Sequence, residues 1–310
     1  MGSTDSSTDY TFHTTTTPNL FSLKDRTIIV TGATGGLGSQ ITRAILESGG
    51  DVIGIDRDGI PPTATWGKII NDTTFPLHQA ETHKVDYIEP LQILAKSCSC
   101  SLAYYRCDIT SPDLTAAVFE KAASEARHPL RGLVNCAGIG TVGDSIDYPE
   151  DLTRRTLDVN LAGTLYAAQA AAKVVRRQHQ EGSSQGGASF VFVASMSGYI
   201  SNKATPTAIY SASKAGVHQL TRSLAGEWGS SASSTPIIRV NSLSPGVIQT
   251  PMTQTVLNRQ DWTSVWEQEA MLKRISKPEE YRGAVVFLLG DASSYVTGTD
   301  LRVDGGSTGW

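Results

Sequence analysis

Two tyrosine–lysine pairs stand four residues apart in this 310-residue chain, Tyr199/Lys203 and Tyr210/Lys214. On a helix, residues i and i+4 share a face, so phenol and ammonium would be neighbours. A phenol with its pKa near ~10 is a poor acid–base catalyst at neutral pH, and an adjacent ammonium favours the phenolate. Such a pair can hand a proton to a substrate oxygen or take one from it. Tyr199-Ile-Ser-Asn-Lys203 follows an apolar run and leads into Pro206, which is loop chemistry. Tyr210-Ser-Ala-Ser-Lys214 opens a stretch whose apolar Ile209, Val217, Leu220 and Leu224 repeat at helical spacing. Only the second pair has a rigid element to aim it.

A second chemical signal lies nearer the N-terminus. Thr31-Gly-Ala-Thr-Gly-Gly-Leu-Gly38 follows a β-branched run and opens an apolar-periodic stretch. Glycines let a backbone turn tightly and approach a pyrophosphate, whose charge sits on unpaired N–H groups at a helix N-terminus. The spacing is G-x-x-x-G-x-G through Gly32, Gly36 and Gly38; strict G-x-G-x-x-G is absent, because position 41 is Ile41. Thr34 and Leu37 complete the candidate phosphate-side set. Asp56 ends the next strand candidate, where a carboxylate can accept both ribose hydroxyls of an adenosine and repels a 2′-phosphate. Arg57 beside it can instead pair with that phosphate. NAD is favoured as cofactor, and NADP stays open.

The elements that must position these groups alternate from Arg26 onward. Strand candidates are Thr27–Val30, Asp51–Ile55, Leu102–Arg106, Gly132–Asn135, Ser189–Ala194, Ile237–Asn241 and Leu301–Val303. Most lack polar alternation, which suits strands buried on both faces of a parallel sheet. Helical periodicity fills the gaps, as in Leu37, Ile41 and Ile45, or Leu161, Leu165, Ala168, Ala172 and Val175. The alternation predicts an α/β fold, a doubly wound parallel sheet of about seven strands with helices on both faces. Residues 1–19, rich in Ser, Thr and Asp, read as a disordered tail, and 20–310 as a single Rossmann-like domain. Segment 57–101, with Pro61-Pro62, Trp66 and polar Asn71–Thr74, is longer than a crossover helix needs and reads as an insertion on the sheet's edge.

Composition removes other classes. Lys+Arg 26 against Asp+Glu 30 leaves a net charge of −4, with no cationic surplus for a nucleic acid. The longest apolar stretches, such as Ala188–Ala194 and Ala284–Leu289, fall far short of the ~20 residues a membrane helix needs. Cys98, Cys100, Cys107 and Cys136 are too few for a disulfide scaffold, and no histidine stands near Cys98-Ser-Cys100 to make a metal site. No metal is expected. With reduced thiols and no targeting pattern, cytoplasm is the expected compartment.

Over about residues 20–306 the chain resembles the short-chain dehydrogenase/reductase family. The likeness rests on Thr31–Gly38, Cys107-Asp108-Ile109, Asn135-Cys-Ala-Gly138, Asn160 in Val-Asn-Leu-Ala-Gly, Ser195 before Gly198, and Tyr210/Lys214. Ser244-Pro-Gly-Val-Ile-Gln-Thr250 and Val296–Gly306 complete it. Within the family the chain is most similar to fungal sorbose- and polyol-type carbonyl reductases. The resemblance implies NAD(P)-dependent interconversion of a secondary alcohol and a ketone, with a small-molecule carbonyl or alcohol as partner. Tyr210 would be the general acid/base, and Lys214 would lower its pKa and hold the nicotinamide ribose. Ser195 would donate to the substrate oxygen, with Ser197 as the alternative. Asn160 would fix a water leading protons to the lysine. Asp108 and Ile109 would lie at the adenine edge, followed by Asn135, Ala137 and Gly138. Pro245, Gly246, Ile248 and Thr250 would lie at the carboxamide end. Cys136 departs from the family's Asn-Asn-Ala-Gly. The likeness also implies a homo-oligomer, tetramer or dimer, and the Ala167–Ala172 face is compatible with close helix packing.

The stretch after Pro251 carries Met252, Leu257, Trp262, Trp266 and Met271. If these line the site, a hydrophobic or ring-bearing substrate is expected; the same spacing also suits a helix packed on the core. His218, one turn beyond Lys214, reads as a packing residue. A fold does not fix a reaction. A cofactor-dependent isomerase, dehydratase or cyclase is therefore the alternative, and a non-catalytic dinucleotide sensor a third reading. The presence of Ser195, Tyr210 and Lys214 together argues against the sensor.

Overall fold

The computed structural model describes residues 15–57, 88–184, 186–230 and 236–310. Seven short runs form strands: β1 (Thr27–Thr31), β2 (Asp51–Asp56), β3 (Leu102–Arg106), β4 (Leu130–Asn135), β5 (Ala188–Val193), β6 (Ile238–Pro245) and β7 (Asp300–Val303). They make one sheet in the order β3-β2-β1-β4-β5-β6-β7, and every pairing is parallel. Ile28, Ile29, Val30, Leu133, Val134, Phe190 and Val191 are fully buried, as continuous apolar runs between two helical layers must be.

Nine helices belong to the described residues: α1 (Gly36–Glu47), α2 (Ile88–Ser97), α3 (Pro112–Ser124), α4 (Glu150–Leu157), α5 (Gly163–Gln180), α6 (Ala208–Trp228), α7 (Gln254–Leu257), α8 (Gln260–Glu269) and α9 (Arg282–Leu289). On one sheet face Phe119 of α3, Val174 of α5 and Val217 of α6 join Phe190 and Val240 in one apolar cluster. On the other, Ile41 and Ile45 of α1, Leu91 of α2 and Leu288 of α9 join Val30 and Val191. This is the expected single-domain Rossmann-like architecture. Chain order reverses between β1 and β4, which opens a crevice beyond their carboxyl ends. Among the described residues no helix is long and apolar enough to cross a membrane.

The structure corrects four details. Strand β6 runs on through Ser242, Ser244 and Pro245, because β7 pairs with that stretch and Asp300 accepts from both serine hydroxyls. Of the tail expected over 1–19, Thr17–Phe21 form a 3₁₀ turn with Pro18 in its first turn; residues 1–14 lie outside the described residues. Of the insertion expected over 57–101, Ile88–Ser97 are a crossover helix between β2 and β3, with Leu91 and Ala95 buried. Pro61-Pro62, Trp66 and Asn71–Thr74 lie outside the described residues. Ala167, Ala168, Ala170 and Ala171 are buried within their own domain, so this face is core.

Candidate active site

A cavity of about 1820 Å³ opens beyond the carboxyl ends of the strands. Its floor at one end is the glycine turn between β1 and α1. Gly32 has φ +63°, and a Cβ there would fall 2.7 Å from the Ala137 nitrogen. A Cβ on Gly38 would fall 2.1 Å from the Gly32 oxygen, and one on Gly36 would meet Thr250 and Pro251 at 3.1 Å. Only glycine fits the first two positions, and together they hold the backbone N–H groups at the start of α1 open toward the cavity. Such a cradle fits a dinucleotide pyrophosphate. Thr34 and Leu37 line it as expected.

Asp56, at the end of β2, is fastened to this turn. Its Oδ2 accepts the Thr34 N–H and hydroxyl, and its Oδ1 accepts the Arg57 N–H at 2.8 Å. Asp56, Arg57, Asp108 and Ile109 all line the same end of the cavity. Asp108 Oδ1 accepts from both the N–H and the hydroxyl of Thr110, which fixes the turn after β3.

Asn135 stands apart from the other expected cofactor residues. It is fully buried at the end of β4, where Oδ1 accepts from Thr31 Oγ1 at 2.6 Å and Nδ2 donates to Thr164 Oγ1 at 2.9 Å. The amide spends its polar atoms tying β1 and α5 to β4, and the cavity wall passes to Cys136, Ala137 and Gly138. Cys136 lies beside Lys214, yet burial pushes its thiol up to about 12.

Tyr210 stands in the first turn of α6 and Lys214 one turn on, so both reach the cavity from one helical face. Lys214 Nζ donates to the Val193 carbonyl at 2.8 Å and sits 5.9 Å from the centre of the Tyr210 ring. Burial draws its ammonium down to about 8. The Tyr210 phenol is held above its ordinary range by burial, and a hydrogen bond with Ser195 opposes that. The expected depression of the phenol by Lys214 is therefore not what the geometry yields. At 5.9 Å, with its Nζ turned to Val193, the ammonium leaves desolvation dominant.

Ser195, at the start of a 3₁₀ turn after β5, accepts the Ser197 N–H and touches Ser197 Oγ at 3.1 Å. Ser197 turns the other way, to Asn202. It is therefore Ser195 that meets the phenol. Asn160 occupies a π-type turn, Asp158–Ala162, between α4 and α5. Its Oδ1 accepts the Ile139 N–H at 2.8 Å, while Nδ2 donates to the Ile139 carbonyl and to Ser213 Oγ, both at 3.0 Å. The amide clamps the turn after β4 to α6 from behind the wall, and its neighbours Asp158 and Val159 line the cavity.

At the far end Pro245, Gly246, Ile248 and Thr250 line the cavity. Met252, Trp262 and Trp266 do so too, whereas Leu257 and Met271 do not; Met271 packs against Gly306 and Gly309. The cavity is lined as well by a polar chain, in which Asn202 Nδ2 donates to Ser197 Oγ at 2.8 Å and to Thr207 Oγ1 at 2.9 Å. Asn202, Thr205, Thr207, Arg155 and Arg259 are lining residues that sequence reasoning missed. They sit in aperiodic loops or at helix ends, where spacing carries no signal. The rejected pair behaves as loop: Tyr199 follows the 3₁₀ turn, and Lys203 pairs with Glu269 at 2.6 Å.

Comparisons with known proteins place the chain among dehydrogenases and reductases. A family model described as enoyl-(acyl carrier protein) reductase matches residues 78–308. Short chain dehydrogenases/reductase notP' of Aspergillus versicolor is 44% identical over 94% of this chain and 90% of its own. The NADH-dependent L-xylulose reductase of Ambrosiozyma monospora is 38% identical over 91% and 94%. The solved NADPH-dependent 3-quinuclidinone reductase of Rhodotorula rubra superposes with a TM-score of 0.76 at 29% identity, over 96% and 98%. Further relatives are named as dehydrogenases or reductases of sugars and sugar alcohols, sorbose among them. The family model over residues 78–308 and relatives 44% and 38% identical along nearly the whole length of both chains place it: the chain belongs to the short-chain dehydrogenase/reductase family.

Proposed function

We propose that the protein interconverts a secondary alcohol and a ketone, with NAD(H) preferred over NADP(H). The observation that carries this is the meeting of Ser195, Tyr210 and Lys214 in the cavity that continues to the glycine cradle. A bound nicotinamide nucleotide supplies the hydride for reduction, or accepts it in oxidation. Ser195 donates a hydrogen bond to the substrate oxygen, where negative charge builds. Tyr210 passes its phenolic proton to that oxygen, or takes it back in the reverse direction. Lys214 holds charge behind the phenol and would hold the nicotinamide ribose of a bound nucleotide. Asn160 acts through Ile139 and Ser213, holding the turn and the helix between which Lys214 lies. Asp56 receives the adenosine ribose hydroxyls, which supports NAD and agrees with the NADH-dependent xylulose reductase among the relatives.

Met252, Trp262 and Trp266 give the substrate space an apolar wall, which supports a hydrophobic or ring-bearing ketone. The hydroxyl-and-amide wall from Ser197 to Thr207 supports a second reading, a ketose or polyol like those in the relatives' names. A cytoplasmic homo-oligomer is the form proposed. Free thiols at Cys98, Cys100, Cys107 and Cys136 and a fully exposed Tyr295 support it. Titration with NADH and NADPH, followed by nicotinamide fluorescence, tests the cofactor. NADH consumption with L-xylulose, L-sorbose and 3-quinuclidinone then tests the reaction. Tighter NADH binding with oxidation of the nucleotide on one of these carbonyls is expected. Product formed with no net change in the nucleotide would replace the reductase reading by an isomerase.

A further inference from the structure

His218 lies one turn beyond Lys214 on α6 and is 3% exposed. Its Nε2 stands 2.8 Å from Ser244 Oγ. The next bond sets the direction of this one. Ser244 Oγ donates to Asp300 Oδ1 at 2.8 Å, as Ser242 Oγ does at 2.5 Å. A hydroxyl has a single proton to give, so Ser244 must accept from His218, and Nε2 of the imidazole carries the hydrogen. The ring face is covered as well. Tyr199 stacks on it with centroids 4.2 Å apart and 28° between planes. Gly198 passes so close that a Cβ there would fall 2.6 Å from Cε1 and 2.9 Å from Nδ1.

Three segments of the candidate site meet at this one ring. One is α6, which carries Tyr210 and Lys214. Another is the carboxyl end of β6, where Ser244 immediately precedes Pro245 and Gly246. The last is the turn from Ser195 to Tyr199. We infer that His218 is a positioning residue for the alcohol–ketone reaction proposed above, a buried bolt whose Nε2–H to Ser244 sets the serine turn, the tyrosine–lysine helix and the Pro245-Gly246 segment relative to one another. The inference rests on that reading of the site.

Charged groups on α6 and β7 stand around the bolt. Asp300 of β7 lies 3.6 Å from Nε2 and draws a proton toward the ring. Lys214 and Arg222 on the same helix oppose it, and burial, the largest influence, holds the ring below the ordinary histidine range. Beyond Tyr199 lies Arg302, 5.5 Å from that ring's centre. A second proton has only Nδ1 to occupy, and Nδ1 faces the backbone of Gly198. Protonation of the ring therefore bears on the serine turn at Gly198.

Binding of NADH and reduction of L-xylulose and 3-quinuclidinone, both followed from pH 5 to 8, test the bolt. His218→Leu is expected to weaken NADH binding and lower kcat by about tenfold or more, since small misplacements of reacting groups carry such losses. His218→Gln, which keeps an N–H of similar reach, is expected to recover most of both. Ser244→Ala removes the acceptor with little change of volume; it is expected to repeat the His218→Leu losses and decides the matter if His218→Leu does not fold. Wild-type kcat is expected to fall in acid by a single protonation that His218→Gln lacks. Wild-type behaviour in both His218→Leu and Ser244→Ala, or no recovery in His218→Gln, overturns the bolt alone. A wild-type protein that binds NADH but reduces neither carbonyl counts against the reaction, and the binding losses then decide the bolt. A wild-type protein that does not bind NADH overturns both.

Discussion

Thr34 donates its backbone N–H and its hydroxyl to the same carboxylate oxygen of Asp56, at 3.1 and 2.6 Å. The glycine turn after β1 and the acid at the end of β2 are therefore one unit. A carboxylate held this way presents a fixed negative edge to whatever enters that end of the cavity.

The first prediction concerns that edge. Asp56→Ser is expected to lower the ratio of NADH to NADPH affinity by about tenfold or more, mainly by admitting NADPH, because a repulsive charge is what excludes the 2′-phosphate. Fluorescence titration of the variant with both nucleotides measures the ratio. An unchanged ratio would assign the selection to another group.

Tyr210→Phe removes the proton donor and leaves the cradle untouched. Its kcat is expected to fall about 10²–10⁴-fold, the usual contribution of a positioned acid–base group, while NADH affinity stays near wild type. Turnover that survives the change would sink the assignment of Tyr210.

Lys214 supplies a pH dependence. Burial draws it down to about 8, so it is charged below that pH and neutral above it. If the ammonium is what reduction needs, the reduction rate falls as pH rises through about 8. Lys214→Arg stays charged, and its remaining activity is expected to lack that alkaline limb. The same shift bears on stability with a definite sign. The unfolded lysine, at 10.5, binds more protons across the window from about 8 to 10.5. The penalty from burying Lys214 is thus present in full below about 8 and is relieved as pH climbs.

Asn135→Ala is expected to act on stability and not on nucleotide choice. It leaves the buried Thr31 hydroxyl without its acceptor, a loss of ~1–3 kcal/mol, while Thr164 keeps its bond to the Asn160 carbonyl. Urea unfolding measures the loss, and the NADH/NADPH ratio should stay as in wild type.

Local features were the ones legible in the chain alone. Apolar runs, most of them without polar alternation, marked the strands, because a parallel sheet covered on both faces needs none. The glycine turn, Asp56 and the Tyr210/Lys214 pair were legible for the same reason: each is a short spacing on one element. Distant partners were not legible. The sixth strand candidate stopped at Asn241, since Ser242 and Ser244 owe their strand conformation partly to Asp300 across the sheet. Helix α2 was hidden behind a long polar stretch and begins with Pro90 in its first turn, where proline is tolerated. Asn135 carries the expected motif but faces Thr31 and Thr164, and no spacing tells an amide which way to turn. Asn202 and Thr205 come from a loop whose path depends on what it packs against.

The π-type turn at Asp158–Ala162 makes chain length itself a determinant of the site. Such a turn holds one residue more than an α-helix would place there. Deleting any one of the four residues that flank Asn160 in this turn would let α4 and α5 heal into a regular helix. It would also rotate α4 by ~100° about the helix axis relative to α5. The Asn160 amide could not then meet both Ile139 and Ser213. A substitution elsewhere in this helix is a local event, whereas an insertion or deletion here would uncouple the turn after β4 from α6. Length at this point is therefore the character to compare when descendants of the same ancestor have diverged in activity.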